Sequence, residues 1–231
     1  MANEYFRFKQ FTVHQNQCAM KVGTDGTLLG AWAQGGANIL DIGTGTGLIA
    51  LMMAQRFPEA RITGIDIDVM AVAQAKGNVG LSPFSDRIMI EESDAKTFQG
   101  RYDCIVSNPP FFERALECPD IQRNMARHTN TLTYASLFMA VKRLLTDQGV
   151  FSLIVPFDYL QKCLEEAALA GFFLNRQWAV KTNSRKPPRR YLMAFTLYSS
   201  EYVDRGIGII EDAPGHRSDW YRQLTEDFYL Y

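Results

Sequence analysis

The stretch from residue 39 to residue 54, ILDIGTGTGLIALMMA, predicts a buried strand, a glycine-rich turn and a helix in direct succession. Glycine lets the backbone come close to a ligand, and Gly43, Gly45 and Gly47 occupy every second position of this turn. Their spacing is G-x-G-x-G, whereas dinucleotide-binding enzymes carry G-x-G-x-x-G. Asp41 lies two residues before the first glycine, where a carboxylate suits an amine-bearing or cationic ligand better than a pyrophosphate. The stretch therefore predicts an α/β sheet with a ligand site at this turn.

The next predicted strand, RITGIDID over residues 61–68, ends in two acidic residues. Asp66 lies 19 residues past Gly47, where a carboxylate at the second strand tip can accept hydrogen bonds from both ribose hydroxyls. Asp68 has a different expected role, as the N-cap of a helix over residues 69–80.

A third strand is predicted over residues 87–91, and Asp94 and Ala95 lie at its tip. The Asp94 carboxylate can accept a hydrogen bond from the amino group of an adenine. The alternative is that Asp94 only forms a turn, which is a common use of aspartate. Both interpretations place these two residues at the ligand-binding edge of the sheet.

The chemical site is predicted where a fourth buried strand, residues 102–107, is followed by the sequence NPPFF. Pro109 and Pro110 fix the backbone and supply carbonyl groups without N–H donors, so they form a rigid rim of hydrogen-bond acceptors. Together with the Asn108 side-chain oxygen, this rim suits an exocyclic amine, and Phe111 would stack on the ring that carries the amine. The alternative is a proline turn with an internally bonded asparagine and two core phenylalanines.

Composition limits the class of protein. The chain has 231 residues, enough for one full core, and 24 Lys+Arg against 25 Asp+Glu give no global attraction to nucleic acid. Its four cysteines form no C-x-x-C pair, which argues against a disulfide framework or a zinc site. The start of the chain lacks the pattern of a signal peptide, and no apolar run approaches membrane-spanning length. We expect a cytoplasmic protein without a metal.

The chain is expected to divide into three parts. Residues 1–20 alternate aromatic and polar side chains and predict a hairpin-like lid. Residues 21–200 form the main domain, and residues 201–231 form a tail that packs on it. In this tail Gly206 and Gly208 are interpreted as turn signals before a short helix.

One segment is strongly basic. No acidic residue occurs between positions 167 and 200, and prolines 187 and 188 stiffen the middle of this segment. The cations beside these prolines are Arg185, Lys186, Arg189 and Arg190. A solvated loop usually mixes charge signs, so the segment favours contact with phosphate groups over a bland surface loop.

These motifs, in this order and at these intervals, resemble class I S-adenosylmethionine-dependent methyltransferases that methylate planar exocyclic or amide nitrogens. The resemblance covers roughly residues 20–200 and implies a Rossmann-like fold, a seven-stranded, mostly parallel sheet with an antiparallel last strand. It implies S-adenosylmethionine as the cofactor, bound by Asp41, Gly43, Gly45, Gly47, Asp66, Asp94, Ala95 and Asn108. It implies that catalysis rests on Asn108, Pro109, Pro110 and Phe111.

Within that class the chain is most similar to the adenine-N6 methyltransferases that modify adenine 37 of a valine tRNA. The points of likeness are FKQF over residues 8–11, GTD over residues 23–25, Phe111 with Phe112, Arg127 with His128, the proline-split basic segment and the DFY near the end. The resemblance implies a tRNA substrate contacted by Phe111, Phe112 and the four cations of the basic segment, and a monomeric enzyme.

Three alternatives remain open at this point. A guanine-N2 rRNA methyltransferase shares the Asn-Pro-Pro-Phe motif, but resembles a longer chain with a duplicated domain. A glutamine methyltransferase acting on release factors shares the acceptor rim, but usually carries Tyr after the prolines. A non-catalytic RNA-binding module is disfavoured because the chain carries a suitable residue at every position of the cofactor and catalytic motifs.

Overall fold

The structure is a computed structural model that describes residues 4–16, 21–109 and 132–230. Pro110, Phe111, Phe112, Arg127 and His128 lie outside the described residues. The helices are α1 (Thr24–Trp32), α2 (Leu48–Arg56), α3 (Val69–Gly80), α4 (Tyr134–Leu144), α5 (Leu160–Leu169) and α6 (Asp219–Thr225), and a 3-10 turn spans Phe157–Tyr159. The strands are β1 (Tyr5–Arg7), β2 (Thr12–His14), β3 (Asn38–Ile42), β4 (Arg61–Asp66), β5 (Ile88–Glu92), β6 (Tyr102–Ser107), β7 (Leu145–Pro156), β8 (Phe173–Lys181), β9 (Arg190–Thr196), β10 (Asp204–Ile209), β11 (Glu211–Ala213) and β12 (His216–Arg217).

The central sheet has the strand order β10-β8-β9-β7-β6-β3-β4-β5. Strands β3 to β7 are parallel, and β9 runs antiparallel to both β7 and β8. The predicted mixed sheet with a single reversed strand is therefore confirmed. The sheet contains eight strands rather than seven, because β10 from the tail adds to its edge parallel to β8.

The sheet is covered on both faces, which is why its central strands are apolar along almost their whole length. Successive residues of β3 point to opposite faces, so Ile39 belongs to one buried cluster and Leu40 to the other. The first cluster includes side chains from α1, α2 and α3, and the second includes side chains from α4 and α5. The two layers of helices leave the carboxyl ends of the parallel strands as the natural place for a ligand.

The extra strand β10 depends on two glycines that the sequence analysis interpreted as turn signals. A Cβ atom at Gly206 would overlap the Trp178 ring, and one at Gly208 would overlap the Trp220 ring. These two rings stack with centroids 5.9 Å apart and an interplanar angle of 17°. The turn interpretation was wrong, because both glycines leave room for indole rings that lie across the strand.

The first described residues form a hairpin of β1 and β2 that is anchored in the core. Phe8 and Phe11 are buried, and Phe8 lies among aromatic rings that include Tyr229 near the end of the chain. Asn78 of α3 accepts a hydrogen bond from His14 N at 2.8 Å and donates to His14 O at 2.9 Å. The same amide donates to the carbonyl of Thr46 at 2.9 Å, so one buried side chain connects the hairpin to the glycine turn.

Among the described residues, none of the helices combines the length and the apolar character needed to cross a bilayer. The same residues contain no group of three or more His, Cys, Asp or Glu side chains arranged to hold a metal ion.

Candidate active site

The glycine turn lies at the carboxyl end of β3 and is bonded to the neighbouring strand. The N–H groups of Gly43 and Thr44 both donate to the carbonyl of Ile65 in β4, at 2.9 and 3.0 Å. Gly43, Gly45 and Gly47 have φ values of 71°, 56° and 80°, in the left-handed region that favours glycine. The chain can therefore turn sharply from the strand into α2 only because glycine occupies these positions.

The three glycines face different surroundings. A Cβ atom at Gly43 or Gly45 would meet no atom of the described residues within 4 Å. At Gly47 a Cβ atom would lie 3.3 Å from Cβ of Ala75 in α3. The first two glycines therefore present open backbone to a ligand, whereas the third also allows α3 to pack closely on the turn.

Asp41 is completely buried beneath this turn. Its Oδ2 accepts hydrogen bonds from Thr44 Oγ1 at 2.7 Å and from Ala50 N at 3.2 Å. Its Oδ1 has no hydrogen-bond partner within the part of the chain that the structure describes. Burial raises the pKa of this carboxyl from its ordinary value of 3.8 to about 7, the two hydrogen bonds lower it, and the charge of Asp66 raises it further. The structure thus gives Asp41 a role in shaping the turn, and its predicted contact with the cofactor remains a prediction.

Asp66 ends β4 and holds the glycine turn from the other side. Its Oδ2 accepts from Gly45 N at 2.9 Å, and its Oδ1 accepts from Asp68 N at 3.0 Å. Asp68 in turn caps α3 by accepting from Met70 N at 2.8 Å, which confirms its predicted role as an N-cap. The Asp66 carboxylate is only partly buried, so a ligand can reach it.

Asp94 and Ala95 lie beyond the end of β5. The Asp94 carboxylate accepts from Lys96 N at 2.9 Å and lies 3.5 Å from Lys96 Nζ, and its carbonyl accepts from Thr97 N at 3.0 Å. Ala95 is buried, and its carbonyl accepts from Arg143 Nη2 at 2.9 Å. Asp94 therefore forms the turn that was the alternative interpretation, while its contact with an adenine stays a prediction.

Asn108 follows β6 directly and lies at the same edge as the glycine turn. The end of β6 is fixed against β3, because Ser107 Oγ donates to the carbonyl of Ile42 at 2.9 Å. Asn108 is half-buried and the following Pro109 is buried. A Cβ atom at Gly26 of α1 would lie 4.0 Å from Asn108 Nδ2, so the first turn of α1 borders the asparagine amide.

The basic loop, residues 182–189 between β8 and β9, reaches the same edge of the sheet. Arg190 begins β9 opposite Pro156, the last residue of β7, so the loop lies at the carboxyl end of the parallel strands. Arg185, Lys186 and Arg189 are exposed. Asn183 Oδ1 accepts from the N–H groups of Arg185 and Lys186 at 3.2 and 3.1 Å, which orders the loop.

Among the described residues, Arg190 is the one of these four cations that forms an ion pair. Its Nη1 lies 2.6 Å from Oδ1 of Asp25, and the two side chains are 24% and 34% exposed. Sequence reasoning missed this pair, since the partners are far apart in the chain. The one available signal was that Asp25 lies in the first turn of a helix, where the N-terminus favours a carboxylate.

Solved methyltransferase structures share this fold. A predicted O-methyltransferase from Agrobacterium tumefaciens superposes with a TM-score of 0.70 at 16% identity, over 88% of this chain and 96% of that one. A putative RNA methyltransferase from Pyrococcus horikoshii superposes with a TM-score of 0.52 at 18% identity, over 70% of this chain and 75% of that one. In fold, the molecule is a class I methyltransferase.

Relatives of known name are much closer in sequence. Proteins named tRNA1(Val) (adenine(37)-N6)-methyltransferase are 46% identical in Bacteroides thetaiotaomicron and 49% identical in Phocaeicola vulgatus, each over 100% of this chain and 99% of the relative. The relative of the same name in Trichodesmium erythraeum is 47% identical over 100% of this chain and 99% of its own length. The chain belongs to this family and, through residues 26–155, to the wider methyltransferase small domain family.

Proposed function

We propose that this protein transfers a methyl group from S-adenosylmethionine to the exocyclic N6 of adenine 37 in the anticodon loop of a valine tRNA. Relatives of that name align along the whole chain at 41–49% identity. The observation that carries the chemistry is the position of Asn108, which the end of β6 places at the same sheet edge as the glycine turn. A tRNA substrate also implies that the enzyme works in the cytoplasm, and we propose that it acts as a monomer.

The residues present fit S-adenosylmethionine. The open space above Gly43 and Gly45 accommodates a ligand lying on the backbone, and the partly exposed Asp66 carboxylate offers acceptor oxygens for ribose hydroxyls. Asp94 and Ala95 border the position proposed for the adenine ring. When bound, the cofactor supplies an electrophilic methyl group.

The resemblance counts Asn108 among the cofactor-binding residues as well, but we propose that Asn108 and the prolines after it act on the nucleophile. The Asn108 side-chain oxygen and a proline carbonyl accept the two N–H hydrogen bonds of the adenine amine, which draws its lone pair out of conjugation with the ring. No strong base is needed, since the amine loses its proton only after positive charge has developed. Pro110 and the stacking residue Phe111, with Phe112 beside it, complete this arrangement as predicted from sequence and lie outside the described residues.

The basic loop is proposed to hold the RNA. Its three exposed cations, Arg185, Lys186 and Arg189, lie at the edge of the sheet where Asn108 is found. Phosphate contacts position an RNA without reading its sequence, so they serve to bring the loop base to the site. Adenine 37 lies in a loop, where turning a base outward costs less than extracting it from a duplex.

The test is methyl transfer to purified substrates. Wild-type protein and radioactive S-adenosylmethionine are incubated separately with total tRNA, ribosomes and a release factor, and label is expected only in tRNA, at N6 of adenine 37. Asn108→Ala should retain cofactor affinity in calorimetry and lose roughly 100-fold or more in turnover, the usual cost of removing a transition-state hydrogen bond.

A matched control is Asn38→Ala. Asn38 is the first residue of β3 and therefore lies at the amino ends of the parallel strands, away from the proposed site, where its side chain contacts Asp103. This variant should keep wild-type turnover. Label in ribosomes or release factor instead of tRNA would refute the proposed substrate. Loss of cofactor binding in Asn108→Ala would refute the role given to the amide.

A further inference from the structure

The ion pair between Asp25 and Arg190 joins two segments that both border the proposed active site. Asp25 lies in the first turn of α1, and Arg190 is the first residue of β9, directly after the basic loop. Their side chains approach to 2.6 Å, and both are largely shielded from water. A shielded pair is worth more than an exposed one, because removing either partner leaves a desolvated charge without compensation.

The first turn of α1 is buried at Gly26 and Thr27, and the ion pair adds a contact at Asp25. Its N-cap is Gly23, which has no side chain, and the structure shows no side-chain cap at this helix. Burial raises the pKa of Asp25, and the charge of Arg190 acts in the opposite direction and favours the ionised form. The carboxylate therefore depends on Arg190 as its compensating charge.

This turn lies against the asparagine amide. Gly26 follows Asp25 directly, and the position of its absent Cβ is 4.0 Å from Asn108 Nδ2 and 3.0 Å from Leu48 Cδ2. The first turn of α1 therefore lies next to Asn108 and close to the start of α2.

We infer that the Asp25–Arg190 pair is a positioning device that holds the first turn of α1 against Asn108, and that Arg190 serves this pair rather than an RNA phosphate. The inference rests on the proposed function, since it takes Asn108 as the group that binds the reacting amine. It divides the four cations predicted to bind RNA into two groups: Arg185, Lys186 and Arg189 face solvent, and Arg190 faces Asp25.

The kinetic test uses four variants: Asp25→Asn, Arg190→Gln, Arg190→Lys and Arg185→Gln. Asp25→Asn and Arg190→Gln should each lower kcat roughly 10- to 100-fold, the scale of a misplacement of about 1 Å at a reacting centre. They should leave the KM for tRNA, and its dependence on salt, unchanged. Arg190→Lys should recover most of kcat, because the observed contact uses a single nitrogen. Arg185→Gln should have the opposite effect: it should raise the KM for tRNA and retain kcat. The slope of log affinity for tRNA against log salt concentration should fall by about one.

A second measurement needs no RNA. The side-chain NH₂ resonances of Asn108, assigned by their loss in Asn108→Ala, should shift in Asp25→Asn and in Arg190→Gln but not in Arg185→Gln. If Arg190→Gln fails to fold, the neutral and isosteric Asp25→Asn variant still provides both readouts.

Two results would overturn the inference. One is that Asp25→Asn keeps kcat within twofold of the wild type with unmoved Asn108 resonances. The other is that Arg190→Gln raises KM and flattens the salt slope while Asp25→Asn has no effect, which would make Arg190 a phosphate contact. A third outcome separates the two proposals. If the wild type transfers no methyl group to tRNA while the Asn108 resonances still shift in Asp25→Asn, the proposed function is refuted and the positioning role stands.

Discussion

Replacing Asp41 by Asn should change the pH dependence of stability in a way that reports on the carboxylate under the glycine turn. Asp41 is fully buried, and burial raises its pKa to about 7 from an ordinary value of 3.8. In the unfolded chain the same carboxyl ionises near its ordinary value. The folded protein therefore binds this proton more tightly than the unfolded chain does.

The sign of the effect follows from linkage. The contribution of Asp41 to stability is fully present below pH 3.8 and is lost as the pH rises through about 7, because over this range the unfolded chain has released the proton that the folded state still holds. The difference between the two pKa values corresponds to about 4 kcal/mol over the full range, of which more than half falls between pH 5 and pH 8. Asparagine resembles the neutral acid and does not titrate, so its variant should not show this loss.

The asparagine also carries a fixed cost that does not depend on pH. Its oxygen can replace Asp41 Oδ2 as the acceptor for Thr44 and Ala50, but its NH₂ group then lies where Oδ1 has no partner among the described residues. A buried donor without a partner costs about 1–3 kcal/mol. The decisive quantity is therefore the change in the stability difference between variant and wild type from pH 5 to pH 8.

The assay is urea unfolding followed by far-ultraviolet circular dichroism at pH 5, 6, 7 and 8, for the wild type, Asp41→Asn and a control. Asp147→Asn is a suitable control because that carboxylate is 90% exposed and its ion-pair partner among the described residues, Arg101, is itself exposed. Relative to wild type, Asp41→Asn should gain roughly 2–3 kcal/mol across this range while the control stays constant. A stability difference for Asp41→Asn that is flat with pH would show that the carboxyl titrates normally and that its burial has been misjudged.

Three further predictions follow from the site and the tail. Replacing Arg185, Lys186 and Arg189 together by Ala should weaken tRNA binding and leave cofactor affinity unchanged. The slope of log affinity against log salt should fall by about one for each lost contact, and an unaltered slope would show that the basic loop is only solvated. Asp66→Ala should weaken S-adenosylmethionine binding in calorimetry without unfolding the protein, and unchanged affinity would exclude Asp66 as the ribose ligand. Gly208→Ala should lower the free energy of unfolding by about 1–3 kcal/mol in urea titrations, because its Cβ would overlap the Trp220 ring, and wild-type stability would contradict the packing of β10.

Much of the fold was predictable from local patterns. The strand, glycine turn and helix around Asp41, the N-cap at Asp68 and the strand that ends before Asn108 all depend on residues close together in the chain. The reversed strand β9 was implied by family resemblance, and the structure confirms it. Local spacing is sufficient for these features because backbone preferences and hydrophobic periodicity act over only a few residues.

Other features could not be predicted because they depend on what lies across the fold. Gly206 and Gly208 indicate turns when considered alone, and only the stacked rings of Trp178 and Trp220 show why glycine is needed inside a strand. Asp41 has the spacing of a ligand-binding acid, yet only the tertiary structure shows it buried beneath the turn.

The sequence by itself determined which residues follow each parallel strand, and therefore which chemical groups lie at the carboxyl ends of the strands. These groups are the open glycines, the acid Asp66 and the amide Asn108. The tertiary structure alone decided which charges are paired within the described residues. Four cations are equivalent in the sequence of the basic segment, but Arg190 meets Asp25 across 165 positions and the other three do not. The physical reason is that pairing and desolvation depend on distances between segments, which local sequence does not encode.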